Sequence, residues 1–409
     1  MATSPKSSTG WAAAILALIA GLAVLLGPQA GRAAVTGSSC QFRRGVNLPL
    51  EFTGWQYSKP AGRAAAAARI RNVAAAGFDF VRVVINLRPL LTGGDATPFI
   101  AQLVDFAGQA AAAHLCVVLA PSPPEWDPAW RSQTVLADPG KTARYRGLLV
   151  EIAQALGREP PAAALELLNE PPFGCNGQAG IGWDRIQVDL YSAIRRVAPR
   201  LPVVLTGDCW SSLDALIKLE AKPFAGDPNA LFTFHFYEPS TFAEQGAAFK
   251  ARCPTAQLSG VEYPATTSCL QTALAKTRQA VAGDLANSPN RNACEHTAAV
   301  LLTQYCQRLG FPSYIKQRMA LVRHWADAAG LPPDRVFAGE FGAITQGKAG
   351  RGGAWPDRLR WLADVRAAAE AEGFGWAVWA LGAAFTIECP GGPPNAVCPA
   401  AAAALGLRQ

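Results

Sequence analysis

The segment ALELLNEPP, residues 164–172, carries the reading on which the rest depends. A short apolar run that breaks off at Asn169-Glu170-Pro171 reads as a buried strand with an amide and a carboxylate at its C-terminal end. Runs of the same kind lie upstream at 42–48, 80–87 and 115–120, and downstream at 203–206, 231–236, 336–339 and 375–380. Longer Ala-rich stretches separate them, near 62–76, 97–113, 141–156, 183–198, 212–221, 313–329 and 356–372, and read as helices. Gly77, Gly330 and Gly373 each stand just past one of these, where helix C-termini favour a residue free to take a positive φ.

Eight strands alternating with helices predict the α/β class and, within it, a single (β/α)8 TIM barrel. The competitor is an open doubly wound sheet, but no G-x-G-x-x-G follows an early strand. The alternation is interrupted between Phe236 and Ser313, a stretch with four cysteines and few long periodic runs. That stretch, about residues 240–311, reads as a disulfide-containing insertion after strand six, with a small independent domain as the alternative.

Of the 409 residues 50% are hydrophobic, which excludes a disordered chain, and the 38 Gly and 31 Pro follow no collagen period. The formal charge of +7 is spread without a Lys/Arg run, so no nucleic-acid partner is expected. Lys6, the apolar run 11–26 and the small residues Gly31 and Ala33 follow the order of a secretory signal peptide, expected over 1–33 with cleavage near Ala33. A retained anchor is the alternative. Residues 34–409 would then form the exported domain, secreted or periplasmic, with no stable membrane insertion and acting as a monomer. All ten cysteines follow the leader, and an even number in an oxidising compartment favours disulfides. With four His and no CxxC, no metal site is expected. Cys389/Cys398 and either Cys253/Cys269 or Cys294/Cys306 suggest local loops, Cys116 reads as a buried thiol, and the connectivity stays open.

In a barrel of this kind chemistry gathers at the C-terminal ends of the strands. Strand two carries Arg82 and Asn86, strand four ends in Asn169-Glu170-Pro171, and strand six ends in His235-Phe236-Tyr237. Strand seven ends in Gly339-Glu340-Phe341-Gly342, and strand eight carries Trp376 and Trp379. Carboxylates ending strands four and seven can face each other across the mouth. A separation of about 5–5.5 Å suits double displacement at a sugar anomeric carbon, and about 6.5–9.5 Å suits inversion.

Leu165-Glu166-Leu167-Leu168-Asn169-Glu170-Pro171 resembles the acid/base motif of glycoside hydrolase family 5, the cellulase family. His235-Phe236-Tyr237-Glu238-Pro239 with Glu244-Gln245-Gly246-Ala247, then Gly339-Glu340-Phe341-Gly342 and Trp376-Ala377-Val378-Trp379, resemble its later blocks in order. The resemblance implies a retaining β-glycosidase, most naturally an endo-β-1,4-glucanase acting on a polysaccharide without metal or organic cofactor. It implies that Glu170 is the acid/base, holding a raised pKa, and that Glu340 is the nucleophile. Asn169 would bind the sugar 2-hydroxyl, Arg82 and Tyr237 would hold Glu340, His235 would position substrate or acid/base, and Trp379 would floor the cleaved subsite. The chain departs from the family after strand three, where Ala120-Pro121-Ser122-Pro123-Pro124 has no His, and Trp126 stands nearby as a stacking substitute. A β-mannanase, an exo-β-glucanase or an exopolysaccharide-trimming enzyme stays open, since the insertion could wall one end of the cleft.

Plainer readings stand beside these. Glu170 and Glu340 could each be strand-end carboxylates in ion pairs, although both stand in their motifs. Arg82 could neutralise Glu166 in the barrel core, alone or while serving the site. Trp376 and Trp379, three apart, point to opposite faces of a strand, so one packs beneath helices and Trp379 is taken as the functional one. Trp55, Trp126, Trp183 and Trp210 are loop aromatics that could be sugar platforms or plugs; Trp126 and Trp210 are taken as substrate-binding. Asp208, Glu238 and Glu262 are assigned no catalysis. A carbohydrate-binding protein on a retired scaffold is the rival class, and an esterase is excluded because no G-x-S-x-G occurs.

Overall fold

Eight parallel strands close on themselves in chain order, with β1 pairing to both β2 and β8. They are β1 (Arg44–Asn47), β2 (Phe80–Asn86), β3 (Cys116–Ser122), β4 (Ala163–Glu166), β5 (Val203–Thr206), β6 (Ala230–Phe236), β7 (Val336–Phe341) and β8 (Gly375–Val378). This is a computed structural model, and it describes residues 40–407 apart from 50–51, 53–55, 159–161, 176–181, 249–252 and 346. The signal-peptide reading over 1–33 and the platform reading of Trp55 lie outside the described residues. The described residues form one compact unit.

The return helices follow the expected spacing: α1 (Pro60–Ala75), α2 (Thr97–Ala112), α3 (Pro139–Leu156) and α4 (Trp183–Val197) come after the first four strands. The helix expected over 212–221 is instead two short pieces, Leu213–Leu216 and Lys222–Ala225. Pro223 stands in the first turn of the second piece, where its missing N–H has no intrahelical partner to lose.

Inside the barrel, alternate residues of each strand point to the axis. Phe80, Val118, Ala164, Val204, Leu231, Phe337 and Ala377 form a buried apolar layer. Phe42 and Phe80 meet edge to face at 5.5 Å, and Phe80 and Phe337 at 5.9 Å. Gly45 makes room for this plug, since a Cβ there would lie 2.3 Å from the Phe80 ring. Toward the strands' C-terminal ends the interior turns polar at Asn47, Arg82, Glu166, Thr233 and His235, all buried.

Strict alternation along β7 would turn Glu340 outward if Phe337 faces in. The register prevents this. Phe234 pairs with Ala338 but His235 pairs with Glu340, and β7 slips again against β8 between Ala338 and Phe341. Such a bulge re-aims a side chain by one residue, and here Glu340 turns toward the cleft while Phe341 packs outward on Trp361 and Trp376.

The 240–311 stretch is more helical than its sequence suggested. It contains α5 (Cys269–Asp284) and α6 (Arg291–Gln304), packed as a hairpin, before α7 (Pro312–Ala328) and, after β7, α8 (Trp355–Ala371). The buried faces of α5 and α6 carry Cys269, Ala273, Thr277 and Val281, and Cys294, Ala298 and Leu302. Small and weakly apolar residues at i, i+4 give only a faint periodicity, which hides these helices from hydropathy. The cysteines pair across this hairpin, Cys253–Cys294 and Cys269–Cys306, correcting both local-loop alternatives. Cys116 is no free thiol either, since it is bonded to Cys40. Cys389–Cys398 closes the short loop expected of it, and Cys175–Cys209 joins the loops after β4 and β5. All ten cysteines are thus paired. Among the described residues no helix is long and apolar enough to cross a membrane.

Candidate active site

The polar layer is organised by Arg82, which projects from β2 and is fully buried. Its Nε and Nη2 donate to the two oxygens of Glu166 at 2.9 and 3.0 Å. Nη1 donates to Glu340 Oε1 at 2.7 Å and to Asn47 Oδ1 at 3.0 Å, and Nη2 donates to Asn169 Oδ1 at 2.8 Å. Both readings of Arg82 therefore hold geometrically: it neutralises Glu166 and grips Glu340. Burial by itself would lower the guanidinium's pKa, but Glu166 and Glu340 outweigh it and raise the value.

Glu340 is 4% exposed and accepts a second hydrogen bond from Tyr237 Oη at 2.7 Å. Burial is the largest influence on this carboxyl and raises its pKa above the ordinary 4.5, opposed by His235, Arg82 and the Tyr237 hydroxyl. The Tyr237 phenol is held well above its ordinary 10 by burial and by Glu340, so it stays a donor. Burial also pushes the His235 imidazole down to about 4, so it is neutral near pH 7. Nδ1 faces two carboxylates, Glu170 Oε1 at 3.0 Å and Glu340 Oε2 at 3.4 Å, while Nε2 faces the Arg82 guanidinium, which would repel a second N–H, so the ring proton belongs on Nδ1. Nδ1 therefore donates to Glu170 Oε1.

Glu170 lies beyond the end of β4 at φ 49°, a left-handed conformation unusual for a non-glycine residue. Its carboxylate oxygen, the His235 ring nitrogen and a Glu340 oxygen all lie within 4.8 Å of one another. Three such ligand atoms form a possible cation cage, but Arg82 already places a buried positive charge against Glu340 and His235, and a second cation there would meet its repulsion.

These groups open into a cavity of about 770 Å³, lined also by Cys209, Trp210, Ser212, Glu238, Ser240, Glu244, Trp379 and Ala383–Phe385. Of the anticipated residues, Glu170, Glu340, His235, Tyr237, Trp379 and Trp210 share this cavity, with Arg82 and Asn169 bonded directly behind them. Trp376 is buried against Phe78 and Phe341, as its opposite strand face requires. Trp126 does not line the cavity. It is 71% exposed and stacks under the Arg88 guanidinium at 5.4 Å, so the substitute-platform reading finds no support in its position. Trp183 is a plug, buried with its indole N–H on Thr206 O. Glu238 is held by Arg318 and Tyr314, consistent with no catalytic assignment. Two contributions were not anticipated, Asn47, which also donates to Gly339 O at 2.9 Å, and Ser240 on the cavity wall, where Glu244 of the strand-six block joins it. An Asn two residues after the interior Gly45 was the available signal for the first.

Trp210 reaches the rim through an uncommon backbone. Cys209, Trp210 and Ser211 have φ of 46°, 62° and 56°, and the buried Ser211 Oγ has no hydrogen-bond partner among the described residues. Ser211→Gly should therefore stabilise the protein by about 1 kcal/mol, because glycine takes this φ freely and the orphaned hydroxyl is gone, against glycine's larger unfolded-state entropy. Chemical denaturation of both proteins would show it, and a lower midpoint for the variant would refute it.

The comparisons agree with this geometry. The profile of cellulase (glycosyl hydrolase family 5) matches residues 35–385. Cellodextrinase A of Ruminococcus flavefaciens is 31% identical over 107 residues, a match that spans 26% of this chain and only 30% of that protein's length. An endoglucanase structure superposes with a TM-score of 0.63 at 20% identity, covering 89% of this chain and 97% of that one. Cellulose synthase subunit Z (CcsZ) from Clostridioides difficile gives 0.61 at 19%, covering 89% and 99%, and Thermotoga maritima Cel5A in complex with mannotriose gives 0.63 at 16%, covering 89% and 97%. At these identities the structures speak for the fold. With the profile running through every strand of the barrel, the chain belongs to the cellulase family, glycosyl hydrolase family 5, and is a glycosidase.

Proposed function

We propose that the protein is a retaining endo-β-1,4-glucanase working by double displacement. The observation that carries this reading is the approach of the Glu170 and Glu340 carboxylate oxygens to within 4.8 Å across one open cavity. So close an approach of oxygens suits the about 5–5.5 Å between carboxyl groups of retaining glycosidases and leaves little room for the water that inversion admits at about 6.5–9.5 Å. Glu170 gives its proton to the glycosidic oxygen as that bond breaks, and Glu340 attacks C1 from the opposite face. Glu170 then takes a proton from the water that releases the sugar from Glu340. Asn169 Oδ1 is committed to Arg82, so its Nδ2 is the end offered to a sugar hydroxyl. Trp379 and Trp210 supply flat apolar faces for the pyranose rings. Five disulfides suit an exported enzyme, in keeping with the N-terminal run 11–26 read as an export signal.

β-Mannan is the second reading, because Thermotoga maritima Cel5A, of the same fold, has been solved with both cellobiose and mannotriose. A panel of carboxymethylcellulose, mixed-linkage β-glucan and mannan, read by reducing ends and product length, separates the two. Mid-length β-glucan oligomers and an early fall in viscosity are expected. Release of short products only, from chain ends, would replace endo with exo action, with Ser240 and Glu244 of the post-β6 segment as the cavity wall.

The pH profile follows from the buried groups. Glu340 must be ionised to attack, and burial raises its pKa, so kcat/KM should fall on the acid side through a value above 4.5. His235, neutral down to about pH 4, should contribute no limb near its ordinary 6.5. A limb near 6.5 that disappears in His235→Gln would contradict this assignment.

A further inference from the structure

The segment 209–211 does more than display Trp210. Trp210 N donates to Pro171 O at 2.9 Å, next in the chain to Glu170, and Ser211 O accepts from His235 N at 2.7 Å. His235 Nδ1 donates to Glu170 Oε1 at 3.0 Å, closing a circuit. Two adjacent residues of one loop thus support both members of the Glu170–His235 pair. All three non-glycine residues of that loop are left-handed, a conformation that an unconstrained chain leaves. What pins them is on the β4 side: the Cys175–Cys209 disulfide, and Cys209 N donating to Phe173 O at 2.7 Å. The two loops are pressed together, since a Cβ on Gly174 would lie 2.0 Å from Asp208 Oδ2. None of the other four disulfides joins these two loops.

We propose that the Cys175–Cys209 disulfide is a positioning element for proton transfer, holding the left-handed 209–211 segment in the conformation that keeps Glu170 against His235. The proposal rests on the reading of Glu170 as acid/base. Cutting the bridge lets the segment relax, and Pro171 and His235 lose their common support. The nucleophile's two short hydrogen bonds, from Arg82 and Tyr237, do not come from the 209–211 segment, and its longer 3.4 Å contact with His235 Nδ1 is backed by the β6–β7 pairing of His235 with Glu340. The defect should therefore fall on protonation of the leaving group.

Phenyl and 2,4-dinitrophenyl β-cellobiosides, or the matching mannobiosides if mannan is the substrate, make the test. Phenolate leaves C1 with a proton from Glu170, whereas dinitrophenolate departs without one. For C175S/C209S, kcat/KM on the phenyl glycoside should fall about 10-fold or more while that on the dinitrophenyl glycoside stays within about twofold, and the basic limb of the pH profile should move. C389S/C398S, which breaks a bridge remote from the circuit, should leave the ratio unchanged. C175S/C209G removes the bridge but permits a positive φ at 209, and serves if the serine pair does not accumulate; the same split, smaller, is expected of it. Equal losses on both glycosides would make the bridge a general staple and overturn the proposal, as would no loss on either. A wild type inert on both would remove the glycosidase reading of Glu170 itself, and the proposal with it.

Discussion

Glu340→Gln should fold and yet hydrolyse polysaccharide about 10⁴-fold more slowly than wild type, or worse. The substitution is nearly isosteric, and its amide oxygen can still accept from Arg82 or Tyr237, so the cavity keeps its shape. What is lost is the anionic oxygen that forms the bond to C1. A neutral amide at that position also leaves Arg82 with only the Glu166 charge beside it, and the positive field at the anomeric carbon then opposes the oxocarbenium-like transition state. The companion measurement uses wild type with a 2-deoxy-2-fluoro β-cellobioside bearing a dinitrophenolate leaving group. Mass spectrometry of peptides should find the sugar on Glu340. An enzyme that turns over but never accumulates that adduct would point to inversion. A Glu340→Gln variant within about 100-fold of wild type would remove the nucleophile assignment. If wild type and variant are equally inert while both bind glycan, the carbohydrate-binding rival is left standing.

Much of this site could be read from the chain because barrel topology turns linear order into position. Eight apolar runs in sequence become eight neighbouring strands, and whatever follows each run lands at one rim. Asn169-Glu170 and His235-Phe236-Tyr237 were located that way, and the structure brings Glu170, His235 and Tyr237 into one cavity. Three features were not legible, each for a physical reason. The inward turn of Glu340 depends on a register slip between β6 and β7, which hydropathy does not encode. The pairing of ten cysteines depends on how α5 and α6 fold back on each other, and their small buried residues gave almost no periodic signal. Trp126 and Trp210 looked alike as loop tryptophans; the disulfide and the left-handed backbone bring the second to the cavity, while a cation–π contact with Arg88 accounts for the first.

Arg82→Met should destabilise the fold by about 3–5 kcal/mol, the usual result of removing one partner from a buried ion pair. The side chain is 0% exposed and so is Glu166, which would be left charged in the barrel interior facing an apolar thioether. Asn47 Oδ1 and Asn169 Oδ1 would lose their donor at the same time. Simple loss of contact area predicts little, since methionine fills much of the same volume. The expected penalty is therefore electrostatic, and a double-mutant cycle isolates it. Glu166→Gln alone removes one of the two carboxylates that hold the guanidinium, while Arg82→Met/Glu166→Gln removes both buried charges together. The double variant should recover about 0.5–3 kcal/mol relative to the sum of the single changes, the range seen for residues in one network. Its activity should not recover, because Glu340 would still lack its 2.7 Å partner. That separation of stability from turnover is the signature of a residue serving two carboxylates at once. Strict additivity in denaturant midpoints would mean that Glu166 is not the group that makes Arg82 indispensable, and that the arginine answers chiefly to the carboxylate at the cavity.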